Sequence, residues 1–350
     1  MSRSYHLISI IICLVISESV AFTSPIQTSQ KINLPKNQKM DPFVTIPKTT
    51  CSALPIPQEV VTSFLPSSLG FIKSEFGVSY GYGFATALTG LSILRQFPGA
   101  NSILPMHAAA LIFYGFRLNA FLLIRTFLSS RIRATIKKIE DRANDRGGRL
   151  SRTPFLLSCG LLYYGLAAPL FLTSKLSSGI LTGSSWLLPV LKALVGLEWF
   201  GFAIAALGDL TKTYVKQTKK DEYTLVTSGI FSILRHPNYT GEMIGWTANA
   251  LCGLVTAGVL LQKSAMGLPA LLRNVSALSV GWLGIVFVLL QATTGLESRQ
   301  KEQYGDKQAY NDWISSTWGG FTLAKKEEGT NGEAHLELNE KQIEESGSGI

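Results

Sequence analysis

Long apolar runs separated by short polar connections organise most of the chain. Gly77 to Leu94 is uncharged and apolar with small residues interleaved, and Leu104 to Leu128 repeats the pattern with Arg117 and Arg125 inside it. Pro154 to Thr173 carries no charge, and Trp186 to Gly208 carries Lys192 and Glu198. Met243 to Gln262 and Val275 to Leu296 follow a basic connection. Crossing ~30 Å of hydrocarbon takes about 20 apolar residues in a helix. The pattern therefore predicts an all-α, polytopic membrane helix bundle of about six transmembrane helices. A bilayer leaves no water to satisfy open backbone groups, so spans that are not barrels must be helical.

Outside these runs the character changes twice. Residues 1–21 have a charged start at Arg3, an apolar run from Leu7 to Ile16 and small residues at Ser19-Val20-Ala21, the layout of a signal peptide. Residues 22–70 open with a stretch rich in Thr, Ser, Pro, Gln and Lys, with Asp41 its only acid before Pro57, and read as a transit-peptide-like segment or linker. The junction Val20-Ala21-Phe22 resembles the Ala-Phe cleavage motif of plastid preproteins in algae with secondary plastids. A plastid membrane is the expected destination, with the endoplasmic reticulum or another endomembrane as the alternative. The membrane domain is expected over 71–323. From Lys325 almost nothing is apolar, so 324–350 is expected to be a disordered tail.

Charge supports the topology. The 350 residues are 46% hydrophobic and only 16% charged, with a net charge of +9. Connections 129–153 and 209–240 hold eight and five Lys/Arg, whereas the opposite connections hold Arg95, Lys175, Lys263 and Arg273. This is the positive-inside bias of six crossings, with the C-terminus on the basic side. The positive charge thus belongs to topology, and no nucleic-acid module accompanies it. Cys13, Cys51, Cys159 and Cys252 are widely separated, and no His or carboxylate cluster has metal spacing, so neither a disulfide framework nor a metal site is expected.

Two segments hold more polar chemistry than an anchor needs. In Arg235-His236-Pro237-Asn238-Tyr239-Thr240-Gly241-Glu242 the proline disfavours helix at His236 and suits the first turn of the next span. Two cations at a helix N-terminus suit an anion. Glu242 enters the membrane boundary and needs a partner there. Arg117, deep in its run, needs one too, and Glu198 is a candidate. The second segment is Glu297-Ser298-Arg299 through Tyr304 and Tyr310. His107, near the other end of the Arg117 run, reads as structural.

The run Arg-His-Pro-Asn-Tyr-x-Gly-Glu resembles a motif of the membrane superfamily containing the steroid 5-alpha reductase C-terminal domain, the sterol C14 reductases and the isoprenylcysteine carboxyl methyltransferases. The nearest likeness is to uncharacterised relatives of the steroid reductase domain. Tyr114-Gly115-Phe116-Arg117-Leu118, Gly208-Asp209-Leu210-Thr211-Lys212, and Glu297-Ser298-Arg299 with Tyr304, Tyr310 and Trp313 resemble further motifs of that group. Thr211, Thr240 and the ending Thr317-Trp318-Gly319-Gly320-Phe321 depart from it.

The resemblance implies a C-terminal cofactor pocket on the basic side, built from Arg235, His236, Asn238, Asp209, Lys212, Glu297, Arg299, Tyr304 and Tyr310. It implies Tyr239 and Glu242 as catalytic groups. The expected activity is NADPH-dependent reduction of a C=C bond in a sterol, terpenoid or pigment-like lipid. The alternatives are S-adenosylmethionine-dependent methyl transfer to a lipid or isoprenyl group, and a non-catalytic membrane protein that keeps the fold. Oligomeric state is not legible.

Overall fold

A computed structural model of the chain describes residues 57–220 and 224–322. The expected signal peptide, residues 22–56 and the expected disordered tail lie outside the described residues. Within them there is helix and no strand. The elements are α1 (Gln58–Ser67), α2 (Ser74–Val78), α3 (Tyr80–Gln96), α4 (Leu104–Leu128), α5 (Ser130–Asp145), α6 (Thr153–Ser174), α7 (Ser178–Thr182), α8 (Leu187–Lys219), α9 (Pro237–Gln262), α10 (Leu268–Tyr304) and α11 (Gln308–Ser316).

Five helices are long and apolar enough to cross a membrane: α4, α6, α8, α9 and α10. The expected first span becomes α3, which has 17 residues because the chain breaks at Ser79 (φ −86°, ψ −78°) before it starts. At 1.5 Å per residue, α3 is about 25 Å long, short of the hydrocarbon thickness. Part of the segment read as linker is helical as well. Helix α1 packs on α3 and α6, with Ser63 and Pro66 buried.

Helix limits follow local chemistry. Asn101 Oδ1 accepts from the N–H groups of Ile103 and Leu104 at 3.0 and 2.9 Å, and its Nδ2 donates to the carbonyls of Thr173 and Leu176. One side chain thus caps the start of α4 and joins it to the end of α6. Ser129, extended at φ −115°, stops α4, and its hydroxyl accepts from Ile132 N–H to start α5. Pro237 opens α9 in the first turn, where its missing N–H removes no bond.

The most extensive pairing joins α8 to α9. A Cβ added at Gly201 would meet the backbone of Gly241 and Gly245, and one at Gly241 would meet Gly201 and Ala205, so these two helices touch backbone to backbone. Gly165 and Gly281 do the same for α6 and α10. One end of the bundle is an aliphatic core of Leu172, Leu187, Leu191, Val195, Leu260 and neighbours. Toward the other end lies an aromatic layer of Tyr82, Tyr114, Tyr163, Phe202 and Trp246, in which Tyr114, Phe202 and Trp246 have centroids 4.5 to 5.1 Å apart.

Candidate functional site

Helices α4, α8 and α9 each place a polar residue on either side of this aromatic layer. On the basic-loop side, Arg117 Nη1 donates to Asp209 Oδ2 at 2.6 Å and Nη2 lies 3.6 Å from Glu242 Oε1. Arg117 also stacks on Tyr114, with Cζ 4.9 Å from the ring centroid. All three charged side chains are nearly buried. A charge at this depth needs pairing, and one guanidinium serves two carboxylates. Gly208 makes this possible: a Cβ there would strike Pro237 and the Asn238 amide, so the first turn of α9 lies directly on α8 beside Asp209.

The partner expected for Arg117 is corrected here. Glu198 lies on the far side of the aromatic layer, where its carboxylate is 3.6 Å from His107 Nε2 and both groups are fully buried. His107 Nε2 also lies 2.8 Å from Asn249 Oδ1, and Nδ1 lies 3.1 Å from Thr173 Oγ1. Asn249 Nδ2 donates to the Leu166 carbonyl, which fixes the amide with its oxygen toward the imidazole. The sequence separation of eleven between Glu198 and Asp209 puts them about 16 Å apart along α8, too far for one arginine to serve both.

About 9 Å up α9 from Glu242, His236 and Arg235 form a second cluster. Glu297 Oε1 accepts from His236 Nε2 at 2.8 Å and lies 3.1 Å from Arg235 Nε in an ion pair, and Arg235 Nη1 donates to the Ile314 carbonyl. The backbone of this loop is held by the returning C-terminal strand-like segment: Arg235 N–H donates to Trp318 O, and Trp318 N–H to Ile233 O. Gly319 packs on the Arg235 guanidinium, and Gly320 (φ +75°) packs on Thr240. A Cβ at Gly319 would collide with Arg235, and the positive φ at Gly320 suits glycine. The unusual ending and the unusual Thr240 are therefore one contact. Thr211 likewise packs against Gly229, whose φ is +63°.

The remaining expected residues fall into place unevenly. Tyr239 is half-buried against the aromatic layer, with Glu242, Arg125, Arg299 and Asp209 within electrostatic reach of its hydroxyl. Lys212 lies one turn beyond Asp209, within reach of Arg125 and Arg299. Asn238 is half-buried at the α8 contact. Arg299 is exposed, with Nε donating to Gly295 O, and stands near Tyr239 and Lys212 rather than in the Arg235 cluster. Tyr304 and Tyr310 form an aromatic group with Trp313, which donates from Nε1 to Phe231 O. This group lines an open cavity of about 580 Å³ together with Thr227, Ser232, Lys307 and Thr317. Tyr310 lies between that cavity and the cluster, with Glu297 and Arg235 in electrostatic reach, and burial pushes its hydroxyl pKa up.

Several groups escaped the sequence reading as site residues. The hydroxyls of Tyr82 and Tyr114 are buried, in electrostatic reach of Glu242 and of each other, and neither makes a well-formed hydrogen bond. Arg117 Nε, Arg125 Nε and Gln300 Oε1 are also buried without a hydrogen-bond partner. Buried polar atoms are normally satisfied, and water or a polar ligand is one way in which such orphans are met. Tyr114 carried a signal, since it stands three residues before Arg117 on the same helix face. Tyr82 carried none, because its partner Tyr114 lies on another helix.

Residues 105–317 match the model of a family described as a protein of unknown function, DUF1295. The chain belongs to this family. The match runs from the first turn of α4 to the segment that pins Arg235, so both polar clusters and the His107 network belong to the DUF1295 region. No curated protein and no solved structure matches the chain.

Proposed function

We propose that this DUF1295 membrane protein is an NADPH-dependent reductase of a C=C bond in a lipid substrate of sterol, terpenoid or pigment-like character, within the wider steroid reductase-like superfamily. The observation that carries the reading is the stacking, along α9, of a cationic cluster at the helix start over a buried Glu242 that adjoins two orphaned tyrosine hydroxyls. The donor set fits the cofactor in kind: Arg235 and His236 for phosphate oxygens, Glu297 and Asn238 for hydroxyl or amide groups, and Tyr310 for ring stacking. When bound, NADPH supplies a hydride.

The chain's own residues have the remaining tasks. Hydride addition beside a carbonyl develops negative charge on its oxygen, which a buried hydrogen-bond donor stabilises. Tyr239 and Glu242 are the proposed catalytic groups, and the hydroxyl of Tyr114 is a further donor toward the same space. Arg117 holds Glu242 in place and balances its charge together with that of Asp209. The aromatic layer beneath closes the site to water from the opposite side.

The test is ligand-induced thermal stabilisation of the detergent-purified full chain, because a ligand that binds only the folded state raises its melting temperature. NADPH is expected to raise it, with the shift abolished in Arg235→Ala. Stabilisation by S-adenosylmethionine and not by NADPH would replace the reductase with a lipid methyltransferase. Stabilisation by neither would leave a non-catalytic membrane protein.

A further inference from the structure

Helix α5 lies in the loop between two spans, yet it is tied at both ends to the membrane boundary. Its first residue follows Ser129 directly at the end of α4. Ten residues on, Glu140 accepts from Arg152 Nη2 at 2.8 Å, and Arg152 immediately precedes α6. Arg152 Nη2 also donates to Asn144 Oδ1, its Nη1 donates to Gly70 O, and Glu140 Oε2 accepts from Ser74 N–H. Both span ends lie on the same, basic-loop face. A helix joining them over about 15 Å of rise between Ser130 and Glu140 therefore runs across the bundle, parallel to the membrane plane.

The two sides of α5 differ. Glu140 and Asn144 face the bundle through Arg152. At 100° per residue, Arg131, Lys138 and Arg142 fall about 180–200° from Glu140, with Arg146 next along the same outer side. An apolar stripe of Ile132, Ile136, Ile139 and Ala143 runs beside them, half-buried, while no residue of α5 is fully buried. Phe127 just before the helix and Leu150 just after it are 74% and 80% exposed, which suits side chains standing in lipid. An apolar stripe flanked by long cations is the design of a helix lying in the headgroup layer.

We propose that α5 is an interfacial helix whose outer row of cations binds the headgroups of anionic lipids on the basic-loop side of the membrane. Anionic headgroups answer the positive excess of this connection, and the Arg152 clamp fixes which face of the helix meets them. The site is separate from the Arg235 and Arg117 clusters and does not depend on the proposed reductase activity.

The test measures lipid retained by the full chain after detergent extraction from vesicles of equal phosphatidylcholine and phosphatidylglycerol. The wild type is expected to retain phosphatidylglycerol in preference. The triple variant Lys138→Gln/Arg142→Gln/Arg146→Gln is expected to lower the retained ratio by about threefold or more, as loss of surface cations implies. A charge-conserving Arg142→Lys/Arg146→Lys variant is expected to keep it, and an unchanged melting temperature in detergent shows that each variant is folded. A wild-type ratio near one, or a ratio untouched by the triple variant, overturns the proposal. So does full competition by soluble glycerol phosphate, since binding of a free headgroup needs no helix lying in the interface.

Discussion

Arg117 and Asp209, ninety-two residues apart, meet through a hydrogen bond of 2.6 Å, and the same guanidinium reaches Glu242 on a third helix. One buried cation therefore joins α4 to both members of the α8–α9 pair. Arg117→Met leaves two buried carboxylates without their counter-charge. Breaking a buried pair by removing one partner costs about 3–5 kcal/mol, so a large fall in thermal unfolding temperature in detergent is expected. Adding Asp209→Asn and Glu242→Gln to Arg117→Met should restore much of it. Equal instability of the single and triple variants would show that Arg117 matters for packing alone.

The His107 network predicts an asymmetry. Glu198 has neither oxygen in a hydrogen bond, and His107 Nε2 lies 3.6 Å from its carboxylate. Replacing Glu198 by Leu is expected to be neutral or stabilising, whereas His107→Leu strands both Glu198 and Asn249 and costs on the order of 3 kcal/mol. Unfolding curves for the two variants and their double check this, with the double between the two singles because Asn249 still lacks His107.

Glycine positions separate close packing from mere flexibility. Gly201→Ala places a methyl group against the backbone of α9 and is expected to cost about 1–3 kcal/mol. Gly196→Ala, five residues away on the same helix with open space around it, is expected to be neutral or to stabilise by up to ~1 kcal/mol. The difference in melting temperature between these two variants is the measurement.

Acid should loosen α5 before the bundle. The hydrogen bond from Arg152 holds the Glu140 carboxyl below its ordinary value of 4.5. A lowered folded-state pKa means the contact stabilises fully above the unfolded value and is lost as pH falls through the lower, folded one. Proteolytic cleavage in the Gly147-Gly148 turn is expected to accelerate below about pH 4.5 in the wild type. In Glu140→Gln it should be faster at neutral pH and show little of that dependence.

Five of the spans were legible because an apolar run of the required length has few alternatives to a membrane helix. The shortness of α3 was not, since hydropathy does not register the backbone break at Ser79. The start of α9 at Pro237 and the grouping of Arg235 with His236 followed from local backbone preference. The partner of Arg117 did not: Asp209, Glu198 and Glu242 all sit in apolar surroundings, and choosing among them needs the rotation and height of three helices. The glycines at 201, 241 and 245 set that height, by a contact between segments forty residues apart. The position of Arg299 was not legible either: the last turns of α10 keep Glu297 within reach of His236 and set Arg299 toward Tyr239 and Lys212 instead.

The backbone contact between α8 and α9 leaves Asp209 and Glu242 on a single rigid strut. Arg117 belongs to α4, which lies outside that strut. Any outward swing of α4, by whatever molecule pushes it aside, separates the guanidinium from both acids at once and brings two uncompensated negative charges into the space it vacates. Entry into this part of the bundle and a change in its charge state are then a single event.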